Sequence, residues 1–174
     1  MRNMTKNTFF IRAQTNIGDT GAYAESEIDL GSYTNLGSSK PEVLRIHNIT
    51  VALTGSDGLP ASVTNDKIAE FGWQLTTQSQ TGLVFITDDS FISGGRGAVR
   101  NPDGADTEAG TQANLEQQLP QDFTNGYLVA VPSLFLGGIG GDDYAEDLYC
   151  SVMLECSTEA MGKANAVALA VSQQ

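Results

Sequence analysis

The chain has 174 residues, a length that fits one domain. Hydrophobic residues make up 40%, enough for a core, while charged residues at 17% fall below the roughly 25% usual for soluble domains. The net charge of −12 rests on 9 basic and 21 acidic residues and is unevenly spread: no basic side chain lies between Arg100 and Lys163. Binding to nucleic acid needs clustered Lys and Arg, so that half is a poor candidate for a direct nucleic-acid surface and none is expected.

With so few charges, the surface is covered by Ser, Thr, Asn, Gln and Gly. Such a surface suits a protein that buries it against neighbours, and equally a secreted β-domain. The acidic half reads as a solvated face; cation binding and exposure to a salty medium stay open. No stretch approaches the ~20 apolar residues of a transmembrane segment. Met1 to Thr8 is polar and resembles no export signal, so synthesis without a cleaved signal is expected.

In chain order, residues 1–8 read as a short polar arm. Phe9, Ile11 and Ala13 alternate with Phe10, Arg12 and Gln14, the period of a strand. Over 22–30, Ala22, Ala24, Ile28 and Leu30 face one way and Tyr23, Glu25, Glu27 and Asp29 the other, a half-buried strand with a wet acidic face. Residues 31–41 form a loop rich in Gly, Ser and Asn. Residues 43–53, VLRIHNITVAL, slip in phase: Leu44 and Ile46 share one parity, Ile49, Val51 and Leu53 the other. A β-bulge near His47-Asn48 would keep all five on one face.

A strand from about Ile68 carries Phe71, Trp73, Leu75 and Thr77 on one face and Gly72, Gln74, Thr76 and Gln78 on the other. Trp73 is expected inside as a core anchor, with Gln74, Thr76 and Gln78 free to contact a neighbouring subunit. Ser79 to Gly82 breaks the run, and Leu83 to Thr87 reads as the second strand of a hairpin. Gly94-Gly95-Arg96-Gly97 is too rich in glycine for a regular central strand. Residues 100–122 read as a long polar excursion, a kind of loop that often carries binding or assembly contacts.

Residues 123–136 return to one strand, apolar on both faces and hence covered on both sides, with Pro132 limiting its ladder. Gly137 to Asp143 reads as a flexible turn. Residues 147–156 alternate Leu148, Cys150, Val152, Leu154 and Cys156 against polar partners. The two cysteines share a face, but in a strand their Cα atoms stand roughly 20 Å apart, too far for a disulfide. Two buried free thiols made at a reducing site follow. In the tail, 157–174, Ala160, Ala164, Val167, Ala168 and Val171 recur at helical spacing, with Ser157 or Thr158 as the cap. A short packing helix and an extended assembly arm are both open.

About eight strands with long loops and no repeat give an all-β fold, a jelly-roll β-sandwich of two four-stranded sheets in a single domain over 1–174.

Chemistry-bearing residues are sparse. His47 is the only histidine, and a metal-dependent jelly-roll enzyme uses two or more; a Ser-His-Asp set around His47 stays open. Gly137 to Gly141 lacks the Gly-Lys-Ser/Thr of a P-loop and is followed by Asp142-Asp143, which would repel phosphate. Asp142, Asp143, Glu146 and Asp147 crowd six positions, and Asp88-Asp89 form a second pair. Solvated turn acids and a calcium site between subunits are the two readings of them; no other cofactor is expected. Asn3-Met4-Thr5 and Asn48-Ile49-Thr50 match the glycosylation pattern by chance, given no export signal. These counts point away from an enzyme.

The stretches VLRIHNITVAL (43–53) and FGWQLTTQSQTGLVFITDDSFISGGR (71–96) resemble capsid proteins of small icosahedral viruses of marine archaea or bacteria, with the likeness covering roughly 42–156. The resemblance implies a virion protein made in the host cytoplasm, packing with copies of itself and other capsid proteins through loops and termini. One departure is that Arg2, Lys6 and Arg12 are the only basic residues at the N-terminus, where many such proteins carry a basic, genome-neutralising arm. Genome contact would then fall to another component, or an internal membrane or second protein layer would intervene. The competing reading is a secreted or surface β-sandwich that binds carbohydrate.

Overall fold

The structure, a computed structural model, describes residues 7–102, 112–119 and 122–174, the stretch 112–119 by its backbone. Among the described residues, nine strands and one helix follow in chain order: β1 (Phe9–Gly18), β2 (Ala24–Asp29), β3 (Glu42–Thr54), β4 (Ile68–Thr76), β5 (Phe91–Arg100), β6 (Gln112–Leu119), β7 (Asp122–Val129), β8 (Ser133–Gly140), β9 (Leu148–Ala160) and α1 (Lys163–Ser172). They form two antiparallel sheets, β1-β9-β3-β7 and β2-β8-β4-β5-β6. Consecutive strands mostly alternate between the sheets, and the first strand lies beside the last. This is the jelly-roll order expected from the sequence, with a ninth strand added to one edge.

That ninth strand corrects the reading of 100–122 as an excursion, because β6 pairs with β5 through Val99↔Ala113 and Gly97↔Leu115. Asp103 to Thr111 and residues 120–121 lie outside the described residues, as do residues 1–6 of the polar arm.

The core lies between the sheets. Ile11, Ile17, Leu44, Ile46, Ile49, Cys150, Val152 and Leu154 meet Ile28, Trp73, Leu75, Ile92, Leu134 and Leu136. Trp73 is fully buried. The phase slip in β3 is a register shift between Ile46 and Asn48 against both β7 and β9. It keeps Leu44, Ile46 and Ile49 inside, with Val51 and Leu53 packed against the same core. Both cysteines are buried and free, and burial pushes each thiol up to about 12.

Several expectations are corrected. Residues 123–136 are two strands, because the chain leaves β7 at Ala130 and joins the other sheet at Ser133; Pro132, which cannot donate, marks the crossing. The apolar character of both faces of β7 is explained by α1: Leu128 and Ala130 pack with Val43, Ala166 and Ala170 on the outer side, while Val129 faces the core. Gly137 to Gly140 lies in β8, between β2 and β4. A Cβ at Gly138 would run into the main-chain oxygen of Gly72 and lie 3.1 Å from the Ile17 methyls. Gly94 to Gly97 lies in β5, between β4 and β6; a Cβ at Gly94 would meet the Trp73 carbonyl at 2.7 Å and the Phe91 ring at 2.9 Å. These glycines are strand residues selected for close packing.

The helix starts later than Ser157 or Thr158, which belong to β9; Gly162 caps it with no side-chain bond. Its buried residues are Ala166 and Ala170, not the 164/167/168/171 set, and Val167 and Val171 face solvent.

Candidate functional site

Between β4 and β5 the chain runs from Thr77 to Ser90 without strand structure, so Leu83 to Thr87 is not the second strand of a hairpin. The partner of β4 is β5 itself, paired from Ile68↔Arg100 to Thr76↔Phe91. The intervening segment lies across the outer face of its own sheet, which corrects the assignment of Gln74 and Thr76 to a free surface: both are fully buried.

Gln74 is the clamp. Its Nε2 donates to the Tyr23 hydroxyl at 2.9 Å and to the Gly82 carbonyl at 3.0 Å, and its Oε1 accepts the Val84 N–H at 2.8 Å. It thus makes three of the four bonds a carboxamide can make, and two of them tie the segment to the sheet. Glu25 holds the earlier part, accepting from the Ser79 hydroxyl and from the Gln80 N–H at 3.0 Å. Arg96 reaches from β5 to donate to the carbonyls of Val84, Trp73 and Gly95. Leu83 seats on Gly72, where a Cβ would stand 2.5 Å from its Cδ1. Burial raises the Tyr23 phenol to about 12, and burial lowers the Arg96 guanidinium from its ordinary value.

So many constraints hold a segment whose next two residues are open. Phe85 is 85% exposed and Ile86 59% exposed. They border a cavity of about 250 Å³ that includes Phe91, Gly94, Gly95 and Arg96. Asp88 and Asp89 follow, both exposed; hydrogen bonds from the hydroxyl and N–H of Ser90 hold Asp88 below the usual carboxylate value.

Beside Leu83 the same face carries a groove of about 550 Å³ lined by Gly72, Gly97 and Gly141, with Glu70, Asp142 and Arg96 among its polar groups. The outer face of the first sheet has a third concavity, about 490 Å³, where Ala52 and Ser151 are flanked by Arg12, Gln14, Thr50 and Met153. Arg12 lies over the Phe10 ring, 5.6 Å from its centroid, and Phe10 is itself exposed.

The acids singled out by spacing do not converge. Asp142 and Asp147 are exposed, Asp143 and Glu146 half-buried, and Asp147 accepts a bond from Asn16 at 2.9 Å. Among the described residues, no group of three or more His, Cys, Asp and Glu side chains is placed to hold a metal ion. His47 pairs with the Ser157 hydroxyl at 2.7 Å. Ser157 is 1% exposed, so this hydroxyl cannot meet a substrate and the pair fastens the bulge. No helix among the described residues is long and apolar enough to cross a membrane.

No protein-family model and no curated protein matches the sequence. Solved structures do match in fold. The chain is similar to apo VP1 of New Jersey polyomavirus, with a TM-score of 0.53 at 8% identity, covering 90% of this chain and 100% of that one. It is similar also to VP1 of trichodysplasia spinulosa-associated polyomavirus, solved with GM1 oligosaccharide, with a TM-score of 0.52 at 8% identity, covering 92% and 98%.

Proposed function

We propose that this chain is a structural subunit of an icosahedral virus shell, self-associating through its loops and termini. The observation that carries the reading is the combination of a jelly roll with a tightly clamped segment that holds Phe85 and Ile86 in solvent. Ordering a loop costs roughly 1–2 kcal/mol per residue in backbone entropy, and exposing a phenyl ring returns nothing to the isolated subunit. The fold shared with two polyomavirus VP1 structures supports the reading. The host proposed is an archaeon or bacterium, on the likeness of residues 43–53 and 71–96 to capsid proteins of such viruses. Other capsid proteins are expected partners in the virion, and the uneven charge favours leaving the genome to another component or to an inner layer. Calcium between subunits would draw on acids from more than one copy.

Electron microscopy of the purified protein tests this directly. Closed particles of uniform size are expected. A protein that stays monomeric at high concentration across salt and calcium overturns the reading.

A second reading, carbohydrate recognition, has one observation in its favour. The glycine-lined groove offers a flat floor, apolar contact from Leu83 and Ile139, and the polar groups of Glu70, Asp142 and Arg96. Glycan-array binding that is lost in Asp142→Ala would favour it.

A further inference from the structure

We infer that the clamped segment of one copy docks, through Phe85 and Ile86, in the trough on the outer face of the β1-β9-β3-β7 sheet of a second copy. The inference rests on the subunit reading above and names the contact that would serve it.

The two surfaces match in chemistry. The segment presents two exposed apolar side chains followed at once by two exposed carboxylates, Asp88 and Asp89. The trough has a small-residue floor, Ala52 and Ser151, with Met153 beside it and the exposed Arg12 and Phe10 at its margin. In a chain of net charge −12, copies repel one another. An attractive contact therefore needs apolar burial and one of the few cations, and Arg12 supplies the cation facing Asp88 and Asp89. The segment needs no ordering to bind, because Gln74, Glu25 and Arg96 already hold it.

The geometry also sets the kind of assembly. The segment lies on the outer face of one sheet and the trough on the outer face of the other, so the two point away from each other. A copy cannot satisfy its own trough, and a two-fold pair cannot make both contacts at once. The contact is head-to-tail, which leads to closed rings or continued lattices.

The test uses two variants on exposed positions, Phe85→Asp and Ala52→Glu. Each alone is expected to keep the wild-type fluorescence of Trp73 and to sediment as a monomer under conditions where the wild type assembles. Mixed in equal amounts they are expected to form a two-subunit species and nothing larger, since one retains the trough and the other the segment. Wild-type assembly by either variant, or a mixture that stays monomeric, overturns the contact while leaving the subunit reading in place. A wild type that never assembles overturns the subunit reading itself. Should either variant misfold, the charge exchange decides: Arg12→Glu and Asp89→Arg each weaken assembly, and the double variant restores it. Failure of the double variant to recover overturns the contact.

Discussion

Leu83 occupies the space above Gly72 that any side chain there would need, its Cδ1 2.5 Å from where a Cβ would stand. The obstacle is the end of a flexible side chain, so Gly72→Ala is expected to lift the 77–90 segment without unfolding the sandwich. Gly138 differs, because there a Cβ meets the main-chain oxygen of Gly72. Gly138→Ala is expected to cost at least the ~1–3 kcal/mol of an overpacked core site. Limited proteolysis within 77–90 for the first variant, and thermal unfolding for the second, separate the two effects.

Gln74→Leu removes the partner of the Val84 N–H, the Gly82 carbonyl and the Tyr23 hydroxyl together. Each buried group left unpaired costs about 1–3 kcal/mol. The variant is expected to be less stable and to open the segment to protease. A bulky charge, as in Gln74→Arg, is expected to destabilise the subunit further, since the position is fully buried. Chemical denaturation of both variants checks the order.

Gln173 closes the edge of β7 as a strand would: its Oε1 accepts the Ala130 N–H at 2.9 Å and its Nε2 donates to the Leu128 carbonyl at 2.7 Å. Its own carbonyl accepts from the Thr77 hydroxyl at 2.8 Å. Gln173→Ala is expected to lower stability by about 1–3 kcal/mol through the two uncapped main-chain groups. Hydrogen exchange should quicken at Ala130 before it does in β9.

Alkali is expected to weaken the fold. The thiols of Cys150 and Cys156 ordinarily ionise near 9.0 and the phenols of Tyr23 and Tyr144 near 10.0, and burial raises all four to about 12. Above pH 9 the unfolded chain releases protons that the folded one retains, so stability present below that pH is lost as pH rises toward 12. Melting temperature measured from pH 8 to 11 should fall, and fall less steeply in Cys150→Ala. EDTA, by contrast, is expected to leave the melting temperature of the isolated subunit unchanged, since no three metal-binding side chains converge among the described residues. A drop of several degrees would place a metal inside one subunit.

Features fixed by local periodicity were legible in the sequence. The alternation around Trp73 and along β9, the bulge at His47-Asn48 and the two-faced burial of β7 all follow from which positions are apolar. Features fixed by a distant partner were not. The strand character of Gly94 to Gly97 depends on the Trp73 carbonyl and the Phe91 ring, and that of Gly138 on Gly72. Gln74 read as surface because strand alternation says that it faces away from the core, and it does. What the alternation could not say is that the chain returns over that face. A Gln set between Gly94 and Gly137, with Tyr23 and Glu25 at the start of the acidic strand beyond β8, was the available hint.

The place of β9 bears on how the chain is made. β9 lies between β1 and β3, pairing Ile11↔Leu154 on one side and Ile49↔Leu154 on the other. Until it is synthesised, β1 has no partner in its sheet and β3 has only β7, so the first sheet exists only as fragments. Sequence-distant pairings of this kind fold slowly and leave edges open to aggregation meanwhile. Arg12 and Ala52 sit on these two strands, and Met153 is level with Arg12 and Thr50 on β9. The trough therefore forms only once β9 is in place, and a nascent chain cannot receive a neighbour early.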